Sequence, residues 1–227
     1  MSFRPGRLRQ ERKPPFAAQA TRGYTDAMRS WIMHPLVFYP LAILLAALVI
    51  AISLEPQSWP RPPAPVSGER AGDSLVLERD AFNAPAVGPN QHVTVVRDFW
   101  GRPQTLRIAV EPNAPAPGPQ DQGVRILLGR QAAAAIAERA VTVVVSYSPL
   151  PVNAASGLAI AVEGAGPPTW VTRQAPPQTG ALRFVLPPQT GANAIGLRAI
   201  ASGEREAFGL EITRILVTPH TGGAGGN

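Results

Sequence analysis

The chain contains no cysteine, three histidines, three methionines and a single lysine among its 227 residues. Without cysteine there is no disulfide, no thiol nucleophile and no thiolate-held metal. A folded region of about 150 residues must then be held by its own apolar core, which is feasible at that size. Charged residues make up 16% of the chain and aromatics 6%. None of the spacings H-E-x-x-H, G-x-S-x-G or G-x-x-x-x-G-K-[ST] occurs. His92 stands on an expected strand with no second histidine near it in sequence, the pattern of an ordinary strand residue and not of a metal ligand. Carboxylate pairs suited to glycoside hydrolysis would be Glu78/Asp80, Glu204/Glu206 and Glu111/Asp121, yet the first two sit at strand ends or turns and the third flanks a loop. No enzyme activity, cofactor or metal is expected.

Proline and glycine are plentiful, at 26 and 21 residues, which argues against a helical bundle and for turns and extended segments. The net charge of +6 is unevenly placed. Arg4, Arg7, Arg9, Arg12, Lys13, Arg22 and Arg29 precede the main apolar run, opposed there only by Glu11 and Asp26. The rest of the chain is nearly neutral, so the basic face expected of a nucleic-acid binder is missing.

Between Arg29 and Glu55 there is no formal charge, and residues 35–54 read PLVFYPLAILLAALVIAISL. Twenty residues of helix span roughly 30 Å, the thickness of a bilayer's hydrocarbon core. Trp31, Pro35, Tyr39, Pro40 and Leu54 mark the expected anchor, with Trp31 and Tyr39 near its first end and Trp59 beyond its last, where interfacial rings belong. A cleaved signal peptide would need a shorter apolar stretch and a better small-residue cleavage site than Ala51-Ile52-Ser53. The positive-inside rule then puts the N-terminus in the cytoplasm. The chain divides into a basic, largely disordered tail (1–30), a transmembrane helix (31–54), a proline-rich stalk (55–72), a folded domain (73–218) and a flexible tail (219–227). The absence of N-x-S/T sites fits a bacterial inner membrane with a periplasmic domain.

From residue 73 the pattern is strand-like. Expected strands are 74–78, 92–97, 105–110, 124–128, 141–147, 157–162, 170–173, 181–186, 194–200 and 210–217, several of them alternating apolar and polar residues. One helix is expected over 130–139 (RQAAAAIAER), and 112–123 reads as a mobile surface loop. The fold class is mainly β, an antiparallel β-sandwich. Three stretches carry a resemblance: AERAVTVVVSY (137–147), TWVTRQAPPQTGALRFVLPP (169–188) and GLEITRILV (209–217). Together this order of strands resembles the galactose-binding-like jelly roll used by many carbohydrate-binding modules, over roughly 73–218. The resemblance implies a jelly-roll sandwich; it assigns no ligand residues.

Aromatics are the better lead for binding. Trp100, Arg102, Tyr147 and Trp170 are the candidate ligand contacts, a ring stacking on sugar C–H groups while charged neighbours bond hydroxyls. Filling the core competes for both tryptophans, because the folded region has few other large rings. The sequence therefore points to a bitopic, non-catalytic protein touching the lipid bilayer. Its outer sandwich docks on a membrane or periplasmic protein as an accessory subunit; alternatively it binds cell-envelope polysaccharide.

Overall fold

The computed structural model describes residues 34–53, 61–112, 114–201 and 208–220. Trp31, Leu54, Trp59, the Glu204/Glu206 pair and both expected tails, apart from Pro219 and His220, lie outside the described residues. The chain forms two compact units, 1–56 and 57–227.

In the first unit, α1 (Pro35–Ser53) is a helix of 19 residues with mean hydropathy 2.6, long and apolar enough to cross a membrane. Pro35 occupies the first helical position, where a missing N–H costs nothing. The His34 carbonyl accepts the N–H groups of Val37 and Phe38. Pro40 lies inside the helix and removes one backbone donor. Ser53 donates its hydroxyl to the Val49 carbonyl at 2.8 Å, so that hydroxyl is bonded within the helix. Every large apolar side chain on α1 is at least intermediate in exposure, Leu36 reaching 79%.

The second unit holds two antiparallel sheets. The first contains β1 (Glu69–Ala71), β2 (Ser74–Leu77), β4 (Gln91–Arg97), β5 (Pro103–Val110), β7 (Val141–Pro149), β10 (Gly180–Leu186) and β12 (Phe208–Pro219). β12 is its spine. Its N-terminal half pairs with β5, Leu210 opposite Ile108, and its C-terminal half pairs with β2, Leu216 opposite Val76. Along its other edge it pairs with β7, with a bulge between Ile212 and Arg214. The second sheet runs β3 (Ala86–Val87), β6 (Val124–Leu127), β11 (Ala194–Ile200), β8 (Gly157–Glu163) and β9 (Val171–Gln174). Alternate residues from both sheets meet in one core, including Leu106, Ile108, Val143, Val145, Phe184 and Ile212 from the first and Leu158, Ile160, Ile195 and Leu197 from the second. The expected β-sandwich is present, and all ten expected strands are there within a few residues.

Four local differences from expectation have physical reasons. Residues 61–71, placed by sequence in the stalk, are bonded to the sandwich: the Ala64 N–H donates to the Ala84 carbonyl, Val66 bridges Leu128, and Glu69–Ala71 forms β1. Extended, proline-rich backbone serves as well for lying along a sheet as for standing free. The expected helix 130–139 ends early, with α2 spanning Arg130–Ile136, because Ala137 leaves helical geometry and Glu138 takes a φ of 59°. β12 runs on to Pro219, and the His220 N–H bonds the Ala140 carbonyl. The expected loop at 112–123, of which 112 and 114–123 are described, is pinned to the second sheet through Asp121 and Pro115.

Candidate ligand-binding site

Both faces of β8 and β11, the central strands of the second sheet, are buried. On its inner face stand Leu158, Ile160, Val162, Ile195 and Leu197; on its outer face stand Ala159, Ala161, Ala194 and Gly196, where a solvated sheet would carry polar side chains. Small residues leave room for a cover. Part of it is the 112–123 strap, tied down by Arg198, whose side chain is only 4% exposed. Arg198 Nη1 lies 2.6 Å from Asp121 Oδ2, and Nη2 donates to the Pro115 carbonyl at 2.7 Å. The rest is Trp170. Its ring edge sits so close to Gly123 and Gly196 that a Cβ there would lie 2.8 and 3.0 Å from Cη2.

Beside this cover is a cavity of about 250 Å³ lined by Gln120, Asp121, Gln122, Arg125, Glu163 and Asn193, with Gly164, Gly166 and Pro168. Three buried polar atoms border the same patch without a hydrogen-bond partner: Glu163 Oε1, Arg125 Nε and Trp170 Nε1. Register brings them together. Arg125 and Gly196 are paired across β6 and β11, Glu163 is opposite Ala194, and Gly196 lies against both Glu163 Oε1 and Trp170. Buried polar groups almost always find partners, so three unmatched ones on one patch leave hydrogen-bonding capacity unused there. They offer an acceptor and two N–H donors, complementary to hydroxyl groups, which donate and accept at once.

Burial pushes the Glu163 carboxyl up to about 7, against the pull of the Arg125 guanidinium, whose Nη1 is 3.9 Å from Oε2. The folded protein thus holds a proton that the unfolded chain gives up, so stability falls as pH rises from about 4.5 to about 7 and stays low above that. Glu163→Gln should flatten this slope. At pH 8 the variant should gain on the order of 2 kcal/mol, a melting-temperature rise of roughly 5 °C, with little change at pH 4. Thermal melts across that range check it; an unchanged slope would refute the assignment.

Two solved structures match the chain over part of its length. One is the N-terminal CBM22 tandem domain of Xyn10C from Paenibacillus barcinonensis, 15% identical, TM-score 0.42, covering 71% of this chain and 50% of that one. Another is a GH26–CBM35 β-(1,4)-mannanase from Podospora anserina, 14% identical, TM-score 0.34, covering 66% of this chain and 28% of that one. The match therefore spans at most half the length of either structure. No protein-family model matches the chain, and no curated protein matches it by sequence.

The four candidate contacts from sequence do not form one site. Tyr147 is buried in the core, where its hydroxyl donates to the Pro176 carbonyl at 2.9 Å and burial raises its pKa. Trp170 is half-buried over the second sheet. Trp100 and Arg102 share the β4–β5 hairpin tip, with Trp100 79% and Phe99 86% exposed and their rings edge to face at 5.3 Å. Asp98 Oδ1 accepts both the Trp100 and the Arg102 N–H, which fixes the turn. Glu163 and Arg125, the heart of the cavity, were not singled out by sequence. The usable signal was the run of Ala and Gly at outward positions in GLAIAVE and AIGLRAI, which marks a covered face.

Elsewhere on the domain His92 Nε2 lies 3.6 Å from Glu111 Oε1, and Glu78 pairs with Arg214 at 3.4 Å. Among the described residues no three metal-ligating side chains cluster.

Proposed function

We propose that this chain is a non-catalytic binding module, tethered to a bacterial inner membrane by α1, whose periplasmic sandwich takes a hydroxyl-rich ligand, a cell-envelope carbohydrate, in the cavity beside Glu163. The observation that carries this reading is the trio of buried, unpartnered polar atoms on Glu163, Arg125 and Trp170. Hydroxyls match such a mixed donor and acceptor set. The tether rests on the length and apolarity of α1 and on the basic residues ahead of it.

Detergent-solubilised full chain should be retained on immobilised envelope glycans or peptidoglycan, and Arg125→Leu should weaken retention at least tenfold. Retention of neither form, or equal retention of both, sinks the assignment.

A second reading, docking of a protein partner, is favoured by one feature. Edge strand β4 borders a cavity of about 440 Å³ formed by Pro63, Val87, Val93 and Val95 between Arg61 and Arg97. An exposed edge can accept an added strand. Co-purification of a stoichiometric protein that dissociates on Val95→Lys would support it over the carbohydrate reading.

A further inference from the structure

Phe99 and Trp100 are consecutive, large and apolar, yet nothing in the fold covers them. Their exposure is built in. The Asp98 N–H donates to the Arg102 carbonyl at 2.9 Å, the Gly101 N–H donates to the Asp98 carbonyl at 2.9 Å, and Asp98 Oδ1 holds two further N–H groups. Gly101 takes a φ of 76°, the left-handed conformation that the tight turn requires and that glycine adopts freely. A rigid turn thus presents two rings outward, with the exposed Arg102 beside them and Arg97 beneath.

A second observation ties this tip to Arg61, near the start of the folded unit. Asn83 Oδ1 accepts from Arg97 at 2.8 Å and from Arg61 at 2.7 Å, while the same Arg97 nitrogen donates to the Gly101 carbonyl at 3.1 Å. Arg61 is where the sandwich takes up the chain coming from α1. Eight peptide links separate it from Ser53, a covalent reach of at most about 29 Å. The hairpin tip is therefore stitched, through two side chains, to the point at which the tether arrives.

We infer that the β4–β5 hairpin tip rests on the surface of the bilayer, Phe99 and Trp100 entering the interfacial region and Arg102 meeting anionic headgroups. Aromatic rings favour that depth, and guanidinium groups pair with lipid phosphate. Arg97 and Arg102 outnumber Asp98 at the tip, so the net charge there is basic. The inference rests on the reading of α1 as a membrane anchor, and the test separates the two.

Full-length chain carrying Trp31→Phe and Trp59→Phe retains Trp100 and Trp170 as its tryptophans. Reconstituted into phosphatidylcholine–phosphatidylglycerol vesicles with acyl-brominated lipid, it should show at least twofold stronger quenching than the same chain with Trp100→Phe added. Arg102→Gln should reduce that difference, and so should replacing phosphatidylglycerol with phosphatidylcholine. Equal quenching with and without Trp100, in protein that floats with the vesicles after alkaline wash, overturns the tip inference and leaves the anchor standing. Protein that fails to float overturns the anchor itself, and the tip inference with it. Trp100 is exposed, so Trp100→Phe is expected to leave the melting temperature unchanged; a melt confirms that the comparison is between folded proteins.

Discussion

Asp121→Ala is expected to lower stability by about 3 kcal/mol, seen as a melting temperature roughly 6–12 °C lower. Asp121 is itself one-third exposed and looks dispensable. Its partner does not. The Arg198 side chain is 4% exposed and, among the described residues, keeps only the Pro115 carbonyl once the carboxylate is gone. A guanidinium left in a covered space without its counter-charge carries most of its desolvation cost, which is why breaking a buried pair hurts more than the pair was worth. The second half of the prediction follows from the same argument. Arg198→Met combined with Asp121→Ala should recover a large part of the loss, because both charges leave together and an apolar chain of similar length fills the space. Melts of the two variants decide it; a double variant no better than Asp121→Ala alone would show that the strap, and not the charge, was at stake.

Gly123→Ala should cost on the order of 2–4 kcal/mol. Gly123 closes the strap with a φ of 54°, a conformation that an L side chain adopts at a cost. A Cβ there would lie 2.7 Å from the Leu197 carbonyl oxygen and 2.8 Å from Trp170 Cη2. The carbonyl belongs to a central strand paired on both sides, so it cannot yield; the strap or the indole must lift instead. Gly196→Ala is the informative contrast. Its Cβ would meet two movable side-chain ends, Glu163 Oε1 and Trp170 Cη2, and no strand backbone. It should destabilise less than Gly123→Ala while weakening ligand retention more, since it fills the patch the three polar atoms border. Chemical denaturation paired with the glycan pull-down separates the two effects. A Gly123→Ala protein as stable as the wild type would mean the strap is not seated against β11.

Much of this architecture is legible in the residues. Alternation such as Leu182/Phe184/Leu186 reports a strand with one wet face directly, and the ten expected strands appear. What escaped detection did so for identifiable reasons. β3 has two residues, too short for any periodicity, and β1 hides at the end of a proline-rich run whose extended backbone looks the same whether free or paired. The strap's Pro, Gly and Gln suggest a mobile loop, and the residue that fastens it, Arg198, lies 77 positions downstream of Asp121 on another strand. The candidate site was legible only in part. Trp170 stood out by type, and Tyr147 stood out equally but packs inward. Glu163 and Arg125 look like solvated strand-end charges until the cover over the second sheet is known.

The position of β12 has a consequence for how the domain comes to be. Its partners β2, β5 and β7 all precede it, with Val217 opposite Leu75 across more than 140 residues of chain. Until residues 208–219 emerge, the first sheet lacks the strand that joins its two halves, and β2 and β5 have no shared neighbour. Such long-range pairing makes for slow, late folding. An unfinished chain exposes edges to other chains meanwhile. A chain interrupted before Phe208 is expected to accumulate as an aggregation-prone intermediate and not as a smaller stable domain.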